Sequence, residues 1–161
     1  MNKQEVALMA KTIQDDGRTV NEVTIIRPQG EGLIVNVALV TIFHRDRKGR
    51  LLLSRPEGKP WSLPACNVAF GEHPDRTAAR LLHEGFGCGG PMFAVNVYSR
   101  FFENPDAHFL LHVYLTVPYG EPKNDANTVD WFDLRHLPEP LLDGERRIIV
   151  DAWHRLRGLN V

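Results

Sequence analysis

The sequence has little cysteine, no long apolar run and almost no net charge, and each shortage removes a class of protein. Among its 161 residues, Cys66 and Cys88 are the only cysteines. Two thiols without C-x-x-C spacing make neither a disulfide framework nor a redox motif, so two reduced thiols are expected. No apolar run reaches the ~18–20 residues that a membrane-spanning helix needs. Met1–Asp16 is mixed polar, with no charged segment followed by an apolar one, so a cytoplasmic setting is expected. A formal net charge of −1 gives no general attraction to nucleic acid or to an anionic membrane. Arg45, Arg47, Lys48 and Arg50 flank Gly49 between two apolar runs, which reads as a solvated hairpin tip. Internal repeats, low-complexity tracts, a Gly-rich phosphate loop and a Ser/His/Asp order are all missing.

What is present is an ordinary globular composition, 43% hydrophobic and 24% charged, in a length that suits one domain. Residues 2–15 read as a short helix with Val6, Met9 and Ile13 near one face, ended by Asp16-Gly17. Val23–Ile26 is a short β-branched run before Pro28. Leu33–Phe43 is a long Val- and Ile-rich run that suits a buried strand. Leu51–Ser54 is expected to return beside it after a turn at Asp46–Gly49. Pro56, Gly58, Pro60 and Pro64 make residues 55–71 a structured loop. Pro74 suits a first helical position, and Gly85 and Gly87 end that helix. Phe93–Phe102 and His108–Val117 read as strands around a turn at Glu103–Ala107. A polar loop Pro118–Asn127 leads to a short strand, Val129–Phe132. The last element, Leu142–Leu156, is an amphipathic helix with Ile148, Ile149, Ala152 and Leu156 inward. This order implies an α+β fold with a helix packed on a mixed sheet.

The segment Trp61–Gly87, WSLPACNVAFGEHPDRTAARLLHEGFG, resembles the Nudix box, the loop–helix–loop of the Nudix (MutT-like) hydrolases. The family pattern is Gly, five residues, Glu, seven residues, Arg-Glu-aliphatic-any-Glu-Glu, one residue, Gly. Glu72, Arg80, Leu82, Glu84 and Gly87 match it without a gap. Cys66 stands for its opening Gly, Leu81 for its first helical Glu, and Gly85 for the second Glu of its pair, so the box is degenerate. The resemblance extends over about residues 33–156. It includes Gly49-Arg50-Leu51-Leu52-Leu53-Ser54-Arg55, Trp61-Ser62-Leu63-Pro64, Asp130-Trp131-Phe132 and Leu137-Pro138. It implies a Nudix-like α/β/α sandwich: a mixed β-sheet with the box helix and a C-terminal helix. The whole chain, 1–161, is then expected to be a single Nudix-like domain, with 1–28 as an N-terminal extension.

The resemblance also implies hydrolysis of a phosphoanhydride in a nucleoside-diphosphate-linked small molecule, with Mg²⁺ or Mn²⁺ compensating the charge if the chain is hydrolytic. Positions 81, 84 and 85 are related by i, i+3 and i+4 and so share one face of an α-helix. Three carboxylates there would form a metal site, but here Glu84 is the remaining one. It reads either as a remnant metal ligand and catalytic group or as an exposed helix-end charge. Activity is therefore expected to be weak or altered. The alternatives are a non-hydrolytic ligand- or protein-binding module and a metal-independent enzyme using the same cleft without a cofactor. Glu72 and Arg80 read as an ion pair holding the loop, and His73 and His83 as surface histidines. Cys66 reads as a packed thiol, with a nucleophilic role as the less favoured alternative. Glu121 and Asp125 are the catalytic candidates outside the box, with Asp130 a further acidic group, and each has the alternative of a solvated loop charge. Arg55, Trp61, Tyr98 and Tyr114 are the substrate-binding candidates, beside Phe43 and Phe101; half or more of this aromatic-rich set is expected to be packing. The partner expected is a nucleotide-like small molecule. A homodimer is left open, and neither a membrane nor nucleic acid in general is expected as partner.

Overall fold

The structure is a computed structural model that describes residues 7–15, 18–26, 33–103 and 106–159. Its contacts group into two units, Met1–Ile34 with Phe101–His108, and Val35–Arg100 with Phe109–Val161.

In the first unit, strand β1 (Ala7–Asp15) pairs antiparallel with β2 (Arg18–Ile26), from Ala7 opposite Ile26 to Asp15 opposite Arg18. This corrects the helix expected over residues 2–15, of which 2–6 lie outside the described residues. The apolar spacing of Met9 and Ile13 is a weak helical signal. Pairing along nine residues supplies the backbone of both strands with partners, and Asp-Gly between two such runs is a hairpin signal as much as a helix stop.

The larger sheet has the strands β3 (Leu33–Phe43), β4 (Arg50–Arg55), β5 (Ala65–Asn67), β6 (Phe93–Glu103), β7 (Asp106–Thr116) and β8 (Thr128–Asp133). Their order is β6-β7-β3-β4-β8, with β5 pairing beside β3. The short strand β5 lies inside the stretch expected to be loop; pairing of Ala65, Cys66 and Asn67 with Leu39, Ala38 and Val37 makes it a strand. The helices are α1 (Pro74–Arg80), prolonged by a π-helical turn Leu81–Gly85, and α2 (Glu145–Gly158).

The near-continuous apolar run of β3 follows from burial on both faces. Side chains alternate across a strand, so Val37, Leu39 and Phe43 enter one apolar cluster while Ala38, Val40 and Ile42 enter another. β4 divides in the same way, Leu51 and Leu53 against Leu52. The first cluster is closed by Ile148, Ile149, Ala152 and Leu156 of α2, the four residues expected on its inner face. The second is closed by Ala78, Leu82 and Phe86 from the box segment. A helix on each face of a mixed sheet is the expected α/β/α sandwich. No helix among the described residues is long and apolar enough to cross a membrane.

Candidate functional site

The box begins with Pro74 at the first turn of α1, where a missing N–H costs no helical bond. Gly71 before it has φ 77° and Gly87 after it φ 62°, backbone conformations that favour glycine. Glu72 and Arg80 lie across this frame. Arg80 Nε donates to Glu72 Oε1 at 3.0 Å and its Nη2 donates to Oε2 at 2.8 Å. The Thr77 hydroxyl adds a bond to Oε2 at 2.8 Å. Arg80 and Thr77 together hold the Glu72 carboxyl at about 2, below its ordinary range, and the same pair raises Arg80. A bidentate guanidinium–carboxylate pair fixes direction as well as distance. It ties the loop to the helix, and Arg80 Nη2 also reaches Cys66 Sγ at 4.0 Å.

The other end of the box is organised differently. Leu81 is half-buried and packs against the cluster of Ala38, Val40, Ile42, Leu52, Ala78, Leu82, Phe86 and Cys88. His83 and Glu84 are exposed. The turn Leu81–Gly85 has π rather than α geometry. Leu81 is an aliphatic group drawn toward apolar neighbours where a carboxylate would turn to water. A Cβ at position 85 would lie 3.2 Å from Leu81 Cδ1, so glycine leaves room for that packing.

Hard divalent cations need several oxygen ligands. Glu84 is the one carboxylate at the box positions 81, 84 and 85, and no group of three or more His, Cys, Asp or Glu suited to a metal ion occurs among the described residues. The donor set does not fit the Mg²⁺ or Mn²⁺ site that the box would otherwise imply.

A cleft of about 580 Å³ opens between the segment after β4 and the loop before β8. Arg55, Glu57 and Lys59 line one side, Asp125, Asn127 and Thr128 the other. Asn124 shapes the second wall, its side-chain oxygen accepting from the amides of Ala126 and Asn127 at 2.9 and 2.8 Å. The structure thus brings together Arg55 and Asp125, two of the expected site residues. Trp61 does not line this cleft. It is 8% exposed, meets Phe132 edge-on at 4.8 Å, and carries the Arg55 guanidinium 4.7 Å from its ring centroid. Its ring lies under Arg55. Tyr98 and Tyr114 are not collected there either. Tyr98 packs on the α2-side cluster with its hydroxyl on Asp151, and burial pushes that hydroxyl up to about 12. Tyr114 packs on the box-side cluster, so one sheet separates the two rings.

Glu121 is exposed and lies 3.8 Å from Arg45 of the β3–β4 hairpin, and Asp130 accepts from the Trp131 amide. Phe43 is fully buried against Trp153, and Phe101 is exposed. His73 is exposed beside Asp75. Cys66 and Cys88 are free thiols, the second buried and pushed up by that burial. One residue that sequence reasoning passed over is Glu145, 2% exposed at the start of α2 and accepting from the Leu63 amide at 2.7 Å. An acidic residue after Asp143-Gly144 looks like an exposed helix start, and no local signal announces its burial.

A two-helix, mixed-sheet sandwich with a loop–helix–loop locked by Glu72 and Arg80 defines the class of fold. A family model for the NUDIX domain matches residues 33–152, and the chain belongs to that family. A Mycobacterium tuberculosis (strain CDC 1551 / Oshkosh) protein provisionally named mutator protein MutT4 is 29% identical over 118 residues, 69% of this chain. The chain spans 44% of that relative's length. The crystal structure of a MutT NUDIX hydrolase from Burkholderia pseudomallei is similar with a TM-score of 0.63 and 28% identity, over 74% of this chain and 97% of that one. The solution structure of the E. coli ORF135 protein is similar in fold, TM-score 0.62 at 21% identity, over 82% and 96% of the two chains.

Proposed function

We propose that this chain takes a nucleoside-diphosphate-linked small molecule into the Arg55–Asp125 cleft and hydrolyses its phosphoanhydride far more slowly than a Nudix protein with a full glutamate box. The whole chain is read as one Nudix-like domain extended at its N-terminus, acting in the cytoplasm. Arg55 and Lys59 provide positive charge for the phosphates, and Asn127 and Thr128 provide polar groups for the rest of the ligand. Asp125 lines the same cleft, which supports a role for its carboxylate in orienting an attacking water. The observation that carries the reduced rate is the inward packing of Leu81, which leaves Glu84 as the lone carboxylate at those box positions. Phosphoryl transfer is driven by charge stabilisation and positioning, and one exposed carboxylate supplies little of either.

The same observation favours a second reading, a ligand-binding domain without hydrolysis. A panel of nucleoside-diphosphate-linked compounds, assayed with Mg²⁺ and with Mn²⁺, separates them. Slow turnover that rises in a Leu81→Glu/Gly85→Glu variant supports the first reading. Binding without any turnover supports the second. Turnover by the unaltered chain as fast as by the restored variant overturns both.

A further inference from the structure

We propose that Glu145 is a positioning residue for the wall of the cleft, holding Leu63 and through it the segment that carries Arg55, and that a proton on Glu145 loosens this hold. The inference rests on the proposed reading of the Arg55–Asp125 cleft as the ligand site.

The geometry is a continuous set of bonds. Glu145 Oε2 accepts from the Leu63 amide at 2.7 Å, with both residues buried. Two residues earlier, the Trp61 amide donates to Pro140 O and the Leu142 amide donates to Trp61 O, each at 2.9 Å. Ser62 exchanges two backbone bonds of 2.9 Å with Ser54, the residue before Arg55. Arg55 in turn rests on the Trp61 ring. The strip 61–63 therefore lies between β4 and the segment leading into α2, and the Leu63 amide ties it to the Glu145 carboxyl.

The charges facing Glu145 are few. From β6, the Arg100 guanidinium lies over Gly144 and donates to Asp143 O. Gly144 has φ 79°, and a Cβ there would meet that guanidinium, so glycine is required. Arg146, next along the helix, is engaged with Glu139. From the strip itself the Leu63 amide reaches the carboxyl. Burial holds the Glu145 carboxyl up at about 7, while the Leu63 amide and Arg100 pull in the opposite direction. The group thus changes charge near neutrality. An ionised carboxylate makes the shorter and stronger bond to an amide, so the strip is held more firmly above the midpoint than below it.

Amide and arginine side-chain NMR of the full chain across neutral pH tests this. The Leu63 N–H is expected to move downfield in a single step near pH 7, with the Arg55 Nε–H and the Glu145 Cδ sharing its midpoint. In Glu145→Gln, which keeps a neutral acceptor of the same shape, the step is lost from Leu63 and Arg55. A Leu63 amide without a step, a step that does not reach Arg55, or a step that survives in the Gln variant overturns the proposal. If that variant does not fold, the wild-type midpoints decide: shared values support the proposal and separate values overturn it. Binding of ADP, measured below and above the midpoint, keeps this result apart from the reading of the cleft. A shared step without ADP binding leaves the Glu145 hold standing and removes the nucleotide reading. ADP binding without a shared step does the reverse.

Discussion

The two ends of the box helix differ in what holds them. At the first, Glu72 and Arg80 form a bidentate pair with Thr77 added, on a loop turned by Gly71. At the second, Leu81 and Leu82 are drawn into an apolar cluster while Glu84 points to solvent with Gly85 behind it. The comparison separates two jobs: charge pairing and packing hold the loop–helix shape, whereas holding a divalent cation needs several oxygen ligands together. In this chain the Glu72–Arg80 pair is present, and Leu81 stands in apolar packing beside the exposed Glu84. A fold-level match therefore carries the architecture much further than it carries the reaction.

The comparison can be broken most forcefully at Leu82. It is 2% exposed beneath the second end of the box, and Leu82→Ala is expected to cost about 2–5 kcal/mol in denaturant unfolding. A loss below about 1 kcal/mol would mean that this end is not held by packing.

Glu145 gives the next effect, and its sign follows from its raised value. An acid ordinarily at 4.5 and held at about 7 in the fold binds its proton more tightly when folded. Its favourable contribution is present below pH 4.5 and is lost as pH rises to about 7. Glu145→Gln should therefore be more stable than the wild type above neutrality, by up to about 3 kcal/mol, and equal to it in acid. A difference in stability that does not change with pH contradicts this account.

At the first end of the box the sign is opposite. Glu72 is lowered to about 2, so its contribution is present above 4.5 and disappears as pH falls towards 2. In Arg80→Met the melting temperature should fall at neutral pH, and the acid limb between those values should flatten. Equal acid limbs in the two proteins would separate Glu72 from the lock. The smallest effect is expected at Glu84, where Glu84→Gln should change stability by no more than about 0.5 kcal/mol, because the group is exposed at a helix end.

Much of the architecture was legible because burial on both faces of a sheet writes unbroken apolar runs. Leu33–Phe43 forms its strand over the expected bounds, and Ile148, Ile149, Ala152 and Leu156 face inward from α2. Pro74 marks the box helix for a local steric reason. The Ala7–Asp15 strand was not legible, since its state depends on pairing with Arg18–Ile26 rather than on its own spacing. Within the site, the Glu72–Arg80 pair was readable from the box pattern. The packing of Leu81 was not, because it depends on a cluster drawn from strands distant in sequence. Glu145 was invisible for a related reason: its burial depends on Leu63, distant in sequence.

The most direct test of the central claim is a titration of Mn²⁺ into the protein, followed by electron paramagnetic resonance, in the wild type, Glu84→Gln and Leu81→Glu/Gly85→Glu. The account predicts no saturable site in the wild type, no change in Glu84→Gln, and a new site in the double variant. A tight wild-type site that is lost in Glu84→Gln would contradict it.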